Sequence, residues 1–160
     1  MPQLHDFVNT WETEFKTTLR VLNAYPAERL DYRPHEVSKT ARDLMWVIAD
    51  EEREIVDGCL KGKFAWAMRK PPKTKNALIR EYKKSHQETV KKVKQAGEDL
   101  FLKRLKFMVA KGKMGDVSGK DVLWLMLHDQ IHHRGQLSVY LRLVGAKVPS
   151  IYGPSADEPW

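Results

Sequence analysis

Apolar residues recur every three or four positions in four separate stretches of the chain, and that period predicts four amphipathic helices. In the first, Phe7, Trp11, Phe15, Leu19 and Leu22 share one side of a helix that ends before Pro26. A polar, proline-bearing linker follows, YPAERLDYRPHEVSKT at residues 25–40, in which Ser38 or Thr40 caps the next helix. The second stripe is Ala41, Met45, Ile48, Glu52, Ile55 and Cys59, running to Gly58 and Gly62, and it holds a carboxylate where a core residue is expected. After Pro71 and Pro72, Leu78 or Ile79 with Tyr82, His86, Val90 and Val93 predicts a third helix that stops at Gly97. Residues 98–116 fit either a short helix or two strands. From Lys120 to Val144 the pattern is helical again, with Val122, Met126, Asp129, His133, Leu137, Tyr140 and Val144 in line, and Gly145 and Pro149 end it. Four such helices with one long and one medium connection predict an all-α, antiparallel four-helix bundle that takes residues 1–160 as one domain.

Composition narrows the setting. Hydrophobic residues at 42% and charged ones at 31% are the balance of an ordinary globular domain, and no apolar run approaches the roughly 18 residues that span a bilayer. The opening MPQLHDFVNTWETEF lacks the basic and apolar segments of a secretory signal, and the single Cys59 forbids an intramolecular disulfide, so the expected address is the cytoplasm. The net charge of +7 is unevenly spread: residues 61–113 carry 17 Lys and Arg against 4 Asp and Glu. Lys83, Lys84, Lys91, Lys92 and Lys94 flank an apolar stripe and no aromatic residues interleave with them, so a solvated helix face is expected rather than a nucleic-acid surface.

The candidate chemistry lies in HDQIHH, residues 128–133. Side chains at i and i+4 stand one above the other on a helix, so His128 with His132 and Asp129 with His133 are two interleaved pairs that could each grip one ion. Asp129 and His133 share a stripe with apolar residues, whereas His128 and His132 sit beside Leu125, Gln136 and Val139; periodicity leaves the choice open. A metal needs a further ligand from another helix, for which Asp50, Glu51, Glu52, His35 and His5 are the candidates. A structural reading stands beside the metal one, since buried histidine and glutamate are often satisfied within the fold. No serine-histidine-aspartate order, phosphate-cradling loop or dinucleotide fingerprint is present, and Cys59 has no neighbouring histidine in sequence.

The string HHRGQLSVYLRLVGAKVPSIYGPSADEPW, residues 132–160, resembles the C-terminal signature of the DinB family, within the DinB/YfiT-like superfamily. LDYRPHEVSKTARDL, residues 30–44, is similar to that family's linker and start of helix two. The resemblance implies an up-down-down-up bundle, frequently a homodimer, with a pocket for a divalent ion, expected to be zinc or nickel, and a superfamily whose known activities include thiol-dependent S-transferases and isomerases; an intact site would itself support hydrolysis or thiol transfer. It implies a ligand triad of one histidine on helix two and an i, i+4 pair on the last helix. By position these fall on Val47, Asp129 and His133, so two of three ligands differ and valine cannot coordinate. Glu51, one turn past Val47, or His128 and His132 on a rotated helix, would then complete the site, with Glu52 as the base that takes a proton from metal-bound water or thiol. The alternative is a non-catalytic, dimeric, stress-related bundle that has lost the metal. In the remaining signature, Arg134 and Arg142 are expected to pair with helix-two acids or lie at a dimer surface, Gly135 to admit a neighbouring element, and the tail around Tyr152 to close a pocket wall.

Overall fold

The computed structural model describes residues 2–159. The helices are α1 (Pro2–Ala24), α2 (Ala41–Lys61), α3 (Lys75–Leu102) and α4 (Gly119–Leu143), with a hairpin of β1 (Arg104–Ala110) and β2 (Lys113–Ser118) between the last two. Thr40, rather than Ser38, caps α2 by accepting the amide of Asp43, and α2 ends at Gly62 in the left-handed conformation, φ 75°. Thr74 caps α3, and Ser118 with Asp121 forms a reciprocal capping box on α4. Gly97 breaks α3, φ 64° and ψ −158°, but does not stop it, because Leu100 and Phe101 are buried in the core and hold a further helical turn against it. Of the two readings of residues 98–116, the strands are found: Leu105 and Phe107 are buried between exposed Arg104, Lys106 and Met108, the period of two of a half-buried strand. A Cβ on Gly119 would lie 1.9 Å from the Leu100 carbonyl oxygen, so glycine is required where α4 starts against the end of α3.

Contacts between helices give the topology. Along α1 and α4, Gln3 meets Lys120, Phe7 meets Trp124 and Glu14 meets Arg134, so these two run parallel. Along α2 and α3, Glu52 meets His86, Asp57 meets Lys92 and the Leu60 carbonyl meets Lys103, a second parallel pair. Across the pairs the direction reverses: Leu4 meets Glu98 while Tyr25 meets Lys75, and Ile48 meets Gln130 while Ile55 shares a wall with Val122. The bundle is therefore up-down-down-up. Because α2 and α3 are parallel, the connection from Gly62 to Thr74 must travel back along the bundle; 21 helical residues rise about 31 Å, within reach of an extended chain of that length.

Two apolar clusters fill the interior, one around Phe7, Trp11, Val56, Phe101 and Leu127, the other around Leu22, Tyr25, Met45, Tyr82 and Leu141. Buried polar residues lie among these helices, including Thr18, Glu52, His86, Gln130 and Arg134. Arg134 corrects the expectation from sequence. It is 1% exposed and pairs with α1 and the tail, not with helix two: Nη1 donates to Glu14 Oε2 at 2.6 Å and Nη2 to the Tyr152 hydroxyl at 2.7 Å. The inward face of α4 is thus centred on Gln130 and Arg134, which leaves Asp129 and His133 at its edge. Gly135 faces open space and admits no neighbouring element. The tail closes over α1 and α4, with Arg142 on Asp157 and Arg20 on Glu158, and contributes no wall to the cleft described below. Among the described residues no helix is long and apolar enough to cross a membrane.

Removing Arg134 would leave the largely buried Glu14 carboxylate without its cation, with the Tyr152 hydroxyl as its remaining donor. Arg134→Ala is expected to cost about 3–5 kcal/mol in urea unfolding, and a loss below about 1 kcal/mol would show that water replaces the guanidinium.

Candidate functional site

Four acids stand within five residues of α2, and the 100° step of a helix turns each towards a different neighbour. Asp50 is fully buried against the returning 62–74 connection, where Arg53 Nε, Arg69 Nε and the Arg69 amide donate to it at 3.0, 2.7 and 2.7 Å. Burial would raise its carboxyl, but these donors outweigh burial and hold it below the usual range. Glu54 Oε1 accepts the amides of Ala65 and Trp66 at 3.0 and 2.6 Å. Those two bonds sustain Trp66 at φ 53°, a conformation that costs a side-chain-bearing residue about 1–2 kcal/mol. Trp46 Nε1 adds a bond to the Arg69 carbonyl at 2.6 Å. The connection is thereby laid back on α2 with Trp66 and Met68 beside Val47 and Glu51.

Glu51 is turned towards α4. It lines a cleft of about 190 Å³ with Val47, Ile55, Trp66, Met68 and Asp129. A second chamber of about 170 Å³, walled by Phe107, Val122, Leu125 and Met126, shares Glu51, Ile55, Trp66 and Asp129 with it. No donor reaches the buried Oε2 of Glu51. What stands beside it is the carboxyl of Asp129. Burial first, then the charge of Asp129, the hydrogen bond between the two and the charge of Glu52, push Glu51 up to about 9. Two carboxyls in contact require a proton between them. Asp129 Oδ2 lies 3.2 Å from His133 Nε2, while His133 Nδ1 donates to Gln136 Oε1 at 3.0 Å, and the Gln136 amide nitrogen donates to His132 Nε2 at 3.0 Å. Glu51, Asp129 and His133 therefore stand in a row, with Asp129 between the other two. At its outer end His133 borders a further hollow of about 410 Å³ that includes Pro34, Leu44, Gln136 and Tyr140.

Of the residues singled out from the sequence, Glu51, Asp129 and His133 come together. His128 and His132 lie on the exposed side of α4, with His128 beside the Trp124 ring. Glu52 faces the opposite side of α2, where it meets Trp11 and His86. His5 contacts Asn9 and His35 its own linker, both exposed. Cys59 is buried, which pushes its thiol up to about 12 and leaves it inert. Trp66 and Met68 were not singled out, although two aromatics and a methionine in an otherwise basic connection, GKFAWAMRK, were the available signal.

The ion implied by the resemblance would need three donors converging on one point. Val47 presents hydrocarbon at the helix-two position, and Glu51, Asp129 and His133 meet in sequence along a row. Among the described residues no group of three or more His, Cys, Asp or Glu is placed to hold a metal ion. The donor set does not fit a three-ligand centre.

Comparison with known proteins adds a lineage. The family model described as "DinB family" matches residues 1–159. The uncharacterised protein YrdA of Bacillus subtilis (strain 168) is 27% identical over 157 residues, covering 97% of this chain and 91% of YrdA. A DinB-like protein from Bacillus cereus ATCC 10987 superposes with a TM-score of 0.80 at 22% identity, over 95% of this chain and 100% of that one. The DinB-like protein YjoA of Bacillus subtilis gives a TM-score of 0.74 at 21% identity, over 90% and 95% of the two chains.

Glu51 generates a pH dependence with a definite sign. Its folded value of about 9 lies above the ordinary 4.5, so its contribution to stability is complete below about pH 4.5 and is lost as pH rises towards about 9. Glu51→Gln, which keeps a donor for Asp129 and cannot ionise, should abolish that decline. Near pH 8.5 the variant is expected to exceed the parent by at least about 1 kcal/mol in urea melts, with the two converging below about pH 4.5. Parallel profiles would show that Glu51 is already ionised at neutral pH.

Proposed function

The chain belongs to the DinB family, and on that premise we propose that it is a small-molecule enzyme of the hydrolase or thiol-transferase kind that moves protons through Glu51, Asp129 and His133 without a three-ligand metal centre. The observation that supports this reading is the buried, unpartnered Oε2 of Glu51 at the inner end of the row. A bundle with no chemistry to perform has no use for two acids set against each other in a protein with 28 lysines and arginines.

The steps follow from the row. A substrate seated against Trp66 and Met68 lies beside Glu51, which gives its proton to the leaving group. Asp129 then draws the Nε2 proton from His133, which restores the proton shared with Glu51. The nucleophile, a water or a thiol, releases its own proton to the vacated imidazole, so one proton enters at His133 for each one delivered at Glu51. Positioned acid-base transfer of this kind contributes about 10²–10⁴-fold to a rate. Apolar walls favour an apolar acyl or alkyl group, and Trp66 and Met68, each about half exposed, can move aside to admit it.

The same reading places the enzyme in the cytoplasm as a homodimer. The exposed Leu125, Val139 and Leu143 of α4 form the face proposed for the second copy, which sedimentation equilibrium would reveal as a dimer mass.

Stripped of metal by a chelator, the protein is expected to retain its melting temperature and its turnover of p-nitrophenyl esters or of a thiol with an electrophilic arene, while Glu51→Gln loses about 10²-fold or more. One tightly bound Zn²⁺ or Ni²⁺ per chain, lost in His133→Ala and required for turnover, would overturn the metal-free reading.

A further inference from the structure

On the other side of α2, a hollow of about 510 Å³ lies between α1 and α3, larger than either chamber of the cleft. Its floor is His86, only 2% exposed. The ring is fixed on every side. Nδ1 lies 3.0 Å from Oε2 of the fully buried Glu52, which also accepts the Trp11 indole hydrogen at 2.9 Å. One face stacks on Phe15 at 3.7 Å and 4°, and Trp11 meets the ring edge-on. With Nδ1 committed to Glu52, Nε2 is the free end, and it points towards the hollow.

What meets Nε2 there is a loose contact. Glu12 of α1 brings Oε2 to 3.4 Å from Nε2 and Oε1 to 3.8 Å from Lys94 Nζ, both beyond the range of a good hydrogen bond, and its side chain is 38% exposed. A carboxylate therefore rests between a buried imidazole and an ammonium group without closing on either. Lys91 adds a second ammonium to the lining, and Phe15 and Val90 supply apolar wall. Burying the Glu52 and His86 pair is costly, and a purely structural use would be expected to seal the outer nitrogen rather than leave it on a half-exposed carboxylate.

We propose that this hollow is a second ligand site, for a small organic carboxylate whose head group replaces Glu12 between His86 Nε2 and Lys94 Nζ and whose apolar tail lies on Phe15 and Val90. With Glu52 offsetting the imidazole from behind, two ammonium groups face the one acid of the lining, Glu12, and favour an anion over a cation once Glu12 swings out. Glu12 occupies the head-group position as a competing internal carboxylate, so the chain sets its own affinity threshold. The site shares no residue with the α2–α4 cleft, and its fate does not depend on the reaction proposed there.

The test uses the full chain with ¹⁵N-labelled histidine, titrated with hexanoate. The His86 Nε2 resonance is expected to shift saturably, with hexylamine giving no shift and acetate binding more weakly than hexanoate. Glu12→Gln, a rim substitution, should tighten hexanoate roughly fivefold or more by removing the competitor, and Lys94→Gln should weaken it by a similar factor. An unmoved His86 resonance in the Glu12→Gln protein at millimolar hexanoate would overturn the proposal. So would an equal response to hexylamine, or acetate binding as tightly as hexanoate.

Discussion

The parallel run of α2 and α3 is the constraint from which the cleft follows. Two parallel neighbours cannot be joined by a tight turn, so the chain between Gly62 and Thr74 must return along the bundle, and a returning segment has backbone amides to satisfy. Asp50 and Glu54 satisfy several of them from α2 and fix the segment where Trp66 and Met68 flank Val47 and Glu51. The acidity of α2 is thus mostly architectural. Without the crossover, Asp50 and Glu54 would be solvent-facing charges and Glu51 would have no enclosed side.

Glu51 is what this arrangement leaves over. Arg53 and Arg69 serve Asp50, the loop amides serve Glu54, and Trp11 with His86 serves Glu52. Glu51 alone of the four meets another acid. Burial and the charge of Asp129 hold the proton on Glu51, and His133 lies on the far side of Asp129. Val47 borders this row with hydrocarbon and helps to make the adjoining chamber apolar. The donor geometry, more than any single substitution, separates this cleft from a metal centre.

The helical part of the fold was legible because its period is simple: Phe7, Trp11 and Leu22 on α1, and Ala41, Met45, Ile48, Glu52, Ile55 and Cys59 on α2, are buried as their spacing predicts. Gly97 misled because a helix breaker is a local signal, and burial of Leu100 and Phe101 is a tertiary one. Arg134 misled for a related reason: an arginine at a helix position reads as surface unless Glu14 and Tyr152, 120 residues before it and 18 after it, are known to meet it. The pairing of Asp129 with His133 was visible as an i, i+4 spacing, but which pair faced inward depended on the rotation of α4, and that is set by Gln130 and Arg134. The roof of the cleft was the least legible element, since nothing periodic marks an extended segment that owes its place to hydrogen bonds from α2.

The shared proton between Glu51 and Asp129 is the point on which the functional reading turns. A ¹³C titration of the Glu51 side-chain carboxyl measures it directly. A midpoint near 9 that moves down in Asp129→Asn is the expected result; a midpoint in the ordinary carboxylate range, unmoved by that substitution, would contradict it.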